Sequence, residues 1–260
     1  MTLLMMTPHG SGGVKKRAPQ ARPRASRARS RAPRAFVTGG AIRVGRAIAL
    51  ALARAGMDVA IGYHRSARQA RQTVRDIEAF GVRGAALRAN LADPLAARRL
   101  VREAARALGG LDVLVNSAAL FDRTPLATTT PAQYDRLLDV NLRGVFFACQ
   151  AAAAAMPRGS HIVNVGDVGA ERAWPSYIPY TISKAGIAAL TRGLAVALRP
   201  RNIAVNCVAP GAVLRPVGFP LARWKAVTRG HEVGPDDVAA AVLFFATCPP
   251  NITGQFLTVD

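Results

Sequence analysis

From residue 35 onward the chain alternates two apolar patterns: short unbroken runs, and longer stretches in which apolar residues recur at helical spacing. Ala35-Phe36-Val37 leads into a helical stretch through Ile48 and Leu52, and then into Val59-Ala60-Ile61-Gly62-Tyr63. The alternation continues through Gly84-Ala85-Ala86-Leu87, Val113-Leu114-Val115, His161-Ile162-Val163-Asn164-Val165, Ala204-Val205-Asn206-Cys207-Val208 and Phe256-Leu257-Thr258-Val259. Short runs of this kind read as strands buried on both faces, and strands separated by helices read as βαβ units. The expected fold is α/β, a single doubly wound parallel sheet of about seven strands flanked by helices. No internal repeat interrupts it.

The first 34 residues mix Pro, Ser, Gly and Arg with few large apolar groups, so burial cannot offset their chain entropy. They are expected to form a disordered basic tail, residues 1–34, ahead of one domain over residues 35–260. An acid-free, Arg- and Ser-rich start has the composition of a transit peptide, but Pro23 and Pro33 oppose an amphipathic helix, and a linker-like tail fits better.

Polar chemistry collects where the strands end. Thr38-Gly39-Gly40-Ala41-Ile42-Arg43-Val44-Gly45 turns the first strand into a helix, and glycines there let backbone amides approach a pyrophosphate. The second strand ends in His64-Arg65-Ser66 instead of the acid that would accept from a ribose 2′-hydroxyl. A guanidinium and a hydroxyl suit a 2′-phosphate, and Arg43 would add a second positive charge, so the expected cofactor is NADPH rather than NADH. Asn116, Asn141, Asp167, Tyr180 and Lys184 fall at the ends of later strands or on the helices beside them. Tyr180 and Lys184 stand at i,i+4 on one helix face, where an ammonium is expected to lower the phenol pKa.

Charge and composition adjust this picture in three places. The net charge is +20, of which residues 1–35 carry nine positive charges and no negative one, leaving +11 on the body. Such a field concerns encounter and solubility more than chemistry, and nucleic acid is not the expected partner. Residues 36–260 hold 24 Arg but only two Lys, Lys184 and Lys225, so a lysine at 184 reads as chosen for its compact ammonium. Cys149, Cys207 and Cys248 show neither CxxC nor metal-ligand spacing, and no run of about 18 uncharged apolar residues spans a bilayer. A cytoplasmic protein without metal or membrane partner is expected.

Taken together, TGxxxxxG, the Asn116-x-Ala118 segment, Asn141-Leu142-x-Gly144, YxxxK at Tyr180 and Lys184, and Asn206-x-Val208-x-Pro210-Gly211 resemble the short-chain dehydrogenase/reductase family over residues 35–260. The resemblance implies a Rossmann-like fold and a homodimer or homotetramer. It implies Tyr180 as proton donor, Lys184 as ribose clamp, Asn141 as holder of a relay water, and Asn90, Leu91, Asn116, Ala118, Pro210 and Gly211 beside the cofactor. Two departures stand out: Arg43 replaces a glycine and Asp167 replaces the usual serine. A carboxylate facing a carbonyl would repel the developing oxyanion, but it can accept from the N–H groups of a heterocycle. With Tyr63-His64-Arg65-Ser66-Ala67 and Phe121 ahead of Thr124-Pro125-Leu126, these departures resemble the pteridine reductase subgroup. That implies an Asp167-Tyr180-Lys184 set and Phe121 sandwiching a pterin against the nicotinamide. The alternatives are a carbonyl or 3-oxoacyl-carrier reductase and a non-catalytic NADPH-sensing or nucleic-acid-binding protein. Residues 212–233 are expected to form a lid, and Trp174 and Tyr177 either line the pocket or pack.

Overall fold

The computed structural model describes residues 31–172, 174–215, 218–228 and 233–260, so the expected tail lies, up to residue 30, outside the described residues. Residues 32–260 form one compact unit. Its seven strands are β1 (Arg34–Thr38), β2 (Asp58–Tyr63), β3 (Gly84–Arg88), β4 (Val113–Asn116), β5 (His161–Val165), β6 (Ala204–Pro210) and β7 (Phe256–Val259). They lie in the order β3-β2-β1-β4-β5-β6-β7 and every pairing is parallel. The expected architecture is therefore the observed one.

Strand alternation explains why the runs are unbroken. Ala35 and Val37 enter one core with Ile48 and Leu52 of α1 (Arg43–Arg54) and Val242 and Phe245 of α8 (Pro235–Thr247). Phe36 between them points the other way, into a core with Leu100 of α3 (Pro94–Leu108), Ala148 of α5 (Gly144–Ala155) and Ile187 of α6 (Ile178–Leu198). With helices on both faces, an unpaired polar group on either side of a central strand is costly, so apolar residues dominate both faces. Arg34, at the start of β1, is buried but bidentate to Asp112, with Nε at 2.7 Å from Oδ2 and Nη2 at 2.7 Å from Oδ1, which fastens β1 to the entry of β4.

α6 is long and apolar enough to cross a bilayer by length and composition alone. Here it sends Ile187 and Ala195 into the same core as Val205 and presents Tyr180 and Lys184 at its first two turns. Between α4 (Pro131–Leu138) and α5 the chain makes a π-helical turn, Asp139–Arg143, which rotates Asn141 inward. One extra residue per turn at such a site re-aims a side chain without ending the helix. α2 (Ala67–Glu78) and α7 (Leu221–Thr228) complete the helices used below.

Candidate active site

The strand order reverses between β1 and β4, and an open parallel sheet leaves a crevice at the carboxyl ends of such strands. A cleft of about 1740 Å³ opens there. The Thr38 hydroxyl accepts from the backbone N–H groups of Ser117 at 3.0 Å and Ala118 at 3.2 Å, tying the ends of β1 and β4 together. Gly39 has φ +67°, and a Cβ on it would sit 2.8 Å from the Ala118 Cα, while one on Gly45 would sit 2.3 Å from the Gly39 carbonyl oxygen. The turn can therefore be this tight only with glycine at both positions. Helix α1 begins with neither a capping side chain nor an acidic residue in its first turn, so its amides are left for an anion.

Arg43, Val44, His64, Arg65, Ser66, Asn90, Leu91, Ala118, Pro210 and Gly211, residues expected from the sequence to lie beside a cofactor, line this cleft. Ser66 is the N-cap residue of α2 but its hydroxyl caps nothing. Arg65 has no acidic partner among the described residues. Free cationic and hydroxyl donors at the end of β2, beside a glycine turn and an uncapped helix, fit a phosphorylated dinucleotide, with the 2′-phosphate on Arg65 and Ser66.

At the other end, α6 brings Tyr180 to Asp167. The Tyr180 hydroxyl donates to Asp167 Oδ2 at 2.6 Å, and Asp167 Oδ1 accepts from the Gly169 N–H at 2.7 Å. Lys184 Nζ donates to the Val165 carbonyl at 2.9 Å and lies 5.7 Å from the centre of the Tyr180 ring. This corrects the expected electrostatics. Burial first, and then the Asp167 carboxylate, push the Tyr180 phenol well above its ordinary range, and the ammonium does not reverse them. Burial also raises Asp167, although Lys184 and the Tyr180 hydrogen bond pull the other way, and burial lowers Lys184 against the opposing pull of Asp167.

Asn116 and Asn141 lie behind the cleft wall rather than on it. Asn116 turns into the interior, its Nδ2 donating to Asn164 Oδ1 at 2.9 Å, and Asn164 donates in turn to the Thr191 hydroxyl at 2.9 Å. Asn141 donates to the Leu120 carbonyl at 2.9 Å and the Ser183 hydroxyl at 3.2 Å and accepts from the Leu120 N–H at 2.8 Å. Both amide hydrogens are thus engaged on the protein, which supports the loop carrying Phe121. The buried sheet position of Asn116 and the π-helical rotation of Asn141 are the reasons, and neither shows in motif spacing.

Phe121 lines the cleft but is already stacked, on Tyr177, at 4.6 Å and 9° between ring planes, and meets the Tyr180 ring edge-on at 4.7 Å. Trp174 lies parallel to Tyr180, its ring against Gly169, where a Cβ would come within 3.0 Å of it. Trp174 and Tyr177 therefore line the cleft and also pack. Sequence reasoning missed Arg172, whose guanidinium is ion-paired with the Asp260 carboxylate on the same wall. The two residues are 88 positions apart, a pairing that local spacing cannot announce.

A family model described as enoyl-(acyl carrier protein) reductase matches residues 40–260. The chain is 34% identical over 243 residues to the 3-oxoacyl-(acyl-carrier-protein) reductase FabG of Staphylococcus aureus, covering 87% of this chain and 96% of that protein. A solved short chain dehydrogenase from Burkholderia cenocepacia, in complex with NADP, is similar with a TM-score of 0.83 at 41% identity, over 88% of this chain and 96% of that one. A blue fluorescent protein from a metagenomic library, in complex with NADPH, is similar with a TM-score of 0.83 at 38% identity, over 88% and 96% of the two chains.

Proposed function

This chain belongs to the short-chain dehydrogenase/reductase family, and we propose that within it the cleft reduces a flat, nitrogen-rich heterocycle of the pterin type. The protein is an oxidoreductase that uses NADPH, as the two nucleotide-bound neighbours and the Arg65 guanidinium at the end of β2 support. Bound NADPH would supply the hydride. The protein's part is to place the substrate and deliver a proton.

Tyr180, still protonated at neutral pH because burial and Asp167 raise it, is the proton donor. Lys184 keeps two N–H donors beyond its bond to Val165, enough to hold the ribose hydroxyls that the family's lysine is implied to clamp. Asp167 carries the substrate assignment. Its carboxylate lies in the cleft with Tyr180 as partner, and as an anion it can accept from ring N–H and amino groups that a ketone does not possess.

The second reading, reduction of a carbonyl or 3-oxoacyl substrate, is favoured by what the matched family model and the Staphylococcus aureus relative are named for. It is compatible with the raised pKa of Asp167, since a protonated carboxyl could donate to a carbonyl oxygen as a serine would. NADPH oxidation with a dihydropterin, dihydrofolate, a simple ketone and a 3-oxoacyl thioester separates the two. Asp167→Ser should cut pterin turnover by roughly one to two decades in kcat/KM, the cost of under-satisfied buried donors, while ketone reduction holds or rises. A wild-type protein that reduces only the ketone or the thioester removes the pterin proposal.

Exposed Phe146 on α5 and Ile182 and Val196 on α6 support a homodimer or homotetramer built on these helices. Three buried free thiols suit a cytoplasmic setting. Light scattering that finds a monomer at micromolar concentration would remove the assembly proposal.

A further inference from the structure

Arg43 occupies a left-handed backbone position, φ 53°, that glycine adopts freely and residues with a side chain do not. From there its guanidinium reaches across the mouth of the cleft. Nη2 donates to the Leu214 carbonyl at 3.0 Å and lies 3.5 Å from that of Arg215. Val213 and Leu214 line the cleft on this segment, which leads on toward α7 and its buried Trp224, also in the cleft wall. The contact thus joins the first turn of the nucleotide end to the segment flanking the substrate end, 171 residues later.

A guanidinium has five N–H donors in a fixed plane, and the two carbonyls occupy only Nη2. The two Nη1 hydrogens, at the same end of the plane as Nη2, remain for an anion approaching beside the carbonyls. A lysine could meet either partner as a point charge but has no rigid second edge to hold both.

We infer that Arg43 is a positioning residue that makes the hold on this segment depend on the cofactor's 2′-phosphate. With the phosphate fixed on Nη1, the arginine's torsions are set, and Nη2 is pinned against the carbonyls of Leu214 and Arg215. Without it, the side chain must give up its rotamer freedom for the carbonyls alone. The coupling is reciprocal, so a substrate that binds under the segment tightens NADPH relative to NADH by the same factor. This inference rests on the NADPH assignment.

Hydrogen exchange on the full chain tests it, read over residues 212–215 and 221–228 without nucleotide, with saturating NADPH and with saturating NADH. In the wild type, NADPH should slow exchange in these peptides by about tenfold more than NADH does, the scale of one charge-assisted bond. Arg43→Gly, whose backbone is at ease at this φ, should erase that difference, and Arg43→Lys should lose most of it while still preferring NADPH. Arg65→Ala should need more NADPH to saturate but keep the difference once saturated. If Arg43→Gly binds NADPH more weakly yet shows the wild-type protection, the coupling is wrong and the cofactor assignment stands. If the wild type binds NADH and NADPH equally well, the assignment itself fails and the coupling with it.

Discussion

At the nucleotide end of the cleft, Arg65 and the Ser66 hydroxyl have no side-chain partner among the described residues, and the first turn of α1 has no cap. At the catalytic end nearly every polar or aromatic group is already engaged: Tyr180 with Asp167, Lys184 with Val165, Arg172 with Asp260, Phe121 with Tyr177. The first region is built to receive charge from outside, and its ligand gains bonds without breaking any. The second is prepared by mutual contacts, so a substrate must exchange partners with residues that are held in place. Nucleotide binding without lost contacts at one end, and substrate selection by exchange of partners at the other, are the expected results of these two modes of satisfaction.

The sharpest way to break the contrast is at the catalytic end. Tyr180→Phe removes the donor and should lower kcat by about 10²–10⁴-fold while leaving the NADPH dissociation constant near wild type, measured by stopped-flow oxidation and fluorescence titration. If nucleotide binding collapsed as well, the two ends would not be separable. Arg65→Ala acts on the other side: NADPH affinity should fall by more than about tenfold with NADH affinity unchanged.

A smaller effect separates activity from stability. Because burial raises Asp167, its ionised form is lost on acidification at a higher pH than an ordinary carboxylate would be. If the proposed pterin reduction uses the anion, it should fall along that limb by up to about tenfold per pH unit, the limiting slope of one titrating group. The same residue's contribution to stability runs the opposite way. A folded pKa above the unfolded one means that folding takes up a proton, so this contribution grows as pH falls through the raised value. Asp167→Asn should flatten both trends, and parallel pH profiles of kcat/KM and Tm would show it. An unchanged acid limb would mean another group titrates there.

The smallest effect is expected at Arg172–Asp260. Both side chains are partly exposed, so the pair is worth at most about 1 kcal/mol, and Asp260→Asn should barely move Tm. Since it borders the segment carrying Trp174 and Tyr177, KM should rise by about twofold with kcat held, on the scale of a weakened surface contact. A drop in kcat instead would place the pair closer to the chemistry than its exposure implies.

How much of this was legible in the sequence follows the same division. The seven strands, the glycine turn and Arg65 could be read because each depends on local rules: runs buried on both faces, a tight turn, a charge at a strand end. Tyr180 and Lys184 could be placed on one face because four residues make a helical turn, but the direction of the phenol's pKa could not. It depends on desolvation and on a carboxylate from another strand. The inward turn of Asn141 comes from a π-helical insertion, and the pairing of Phe121 with Tyr177 from two loops held by a backbone bond between Thr124 and Ser176. Packing between distant segments decided these, and spacing carries no signal for it.

The strand order has a consequence for how the chain assembles. β1 is the domain's first strand, yet it ends between β2 and β4. Its pairing with β2 spans Arg34 to Asp58, whereas its other edge waits for Val113, opposite Ala35. During synthesis the first three strands can pair as a unit while the inner edge of β1 stays open, and an open, flat, apolar edge is a template for pairing with another chain. Arg34 and Asp112 sit at the joint where that edge closes, and their bidentate geometry admits only one register. Weakening this pair should therefore act on folding yield, through slower closure and more aggregation, before it acts on the finished enzyme.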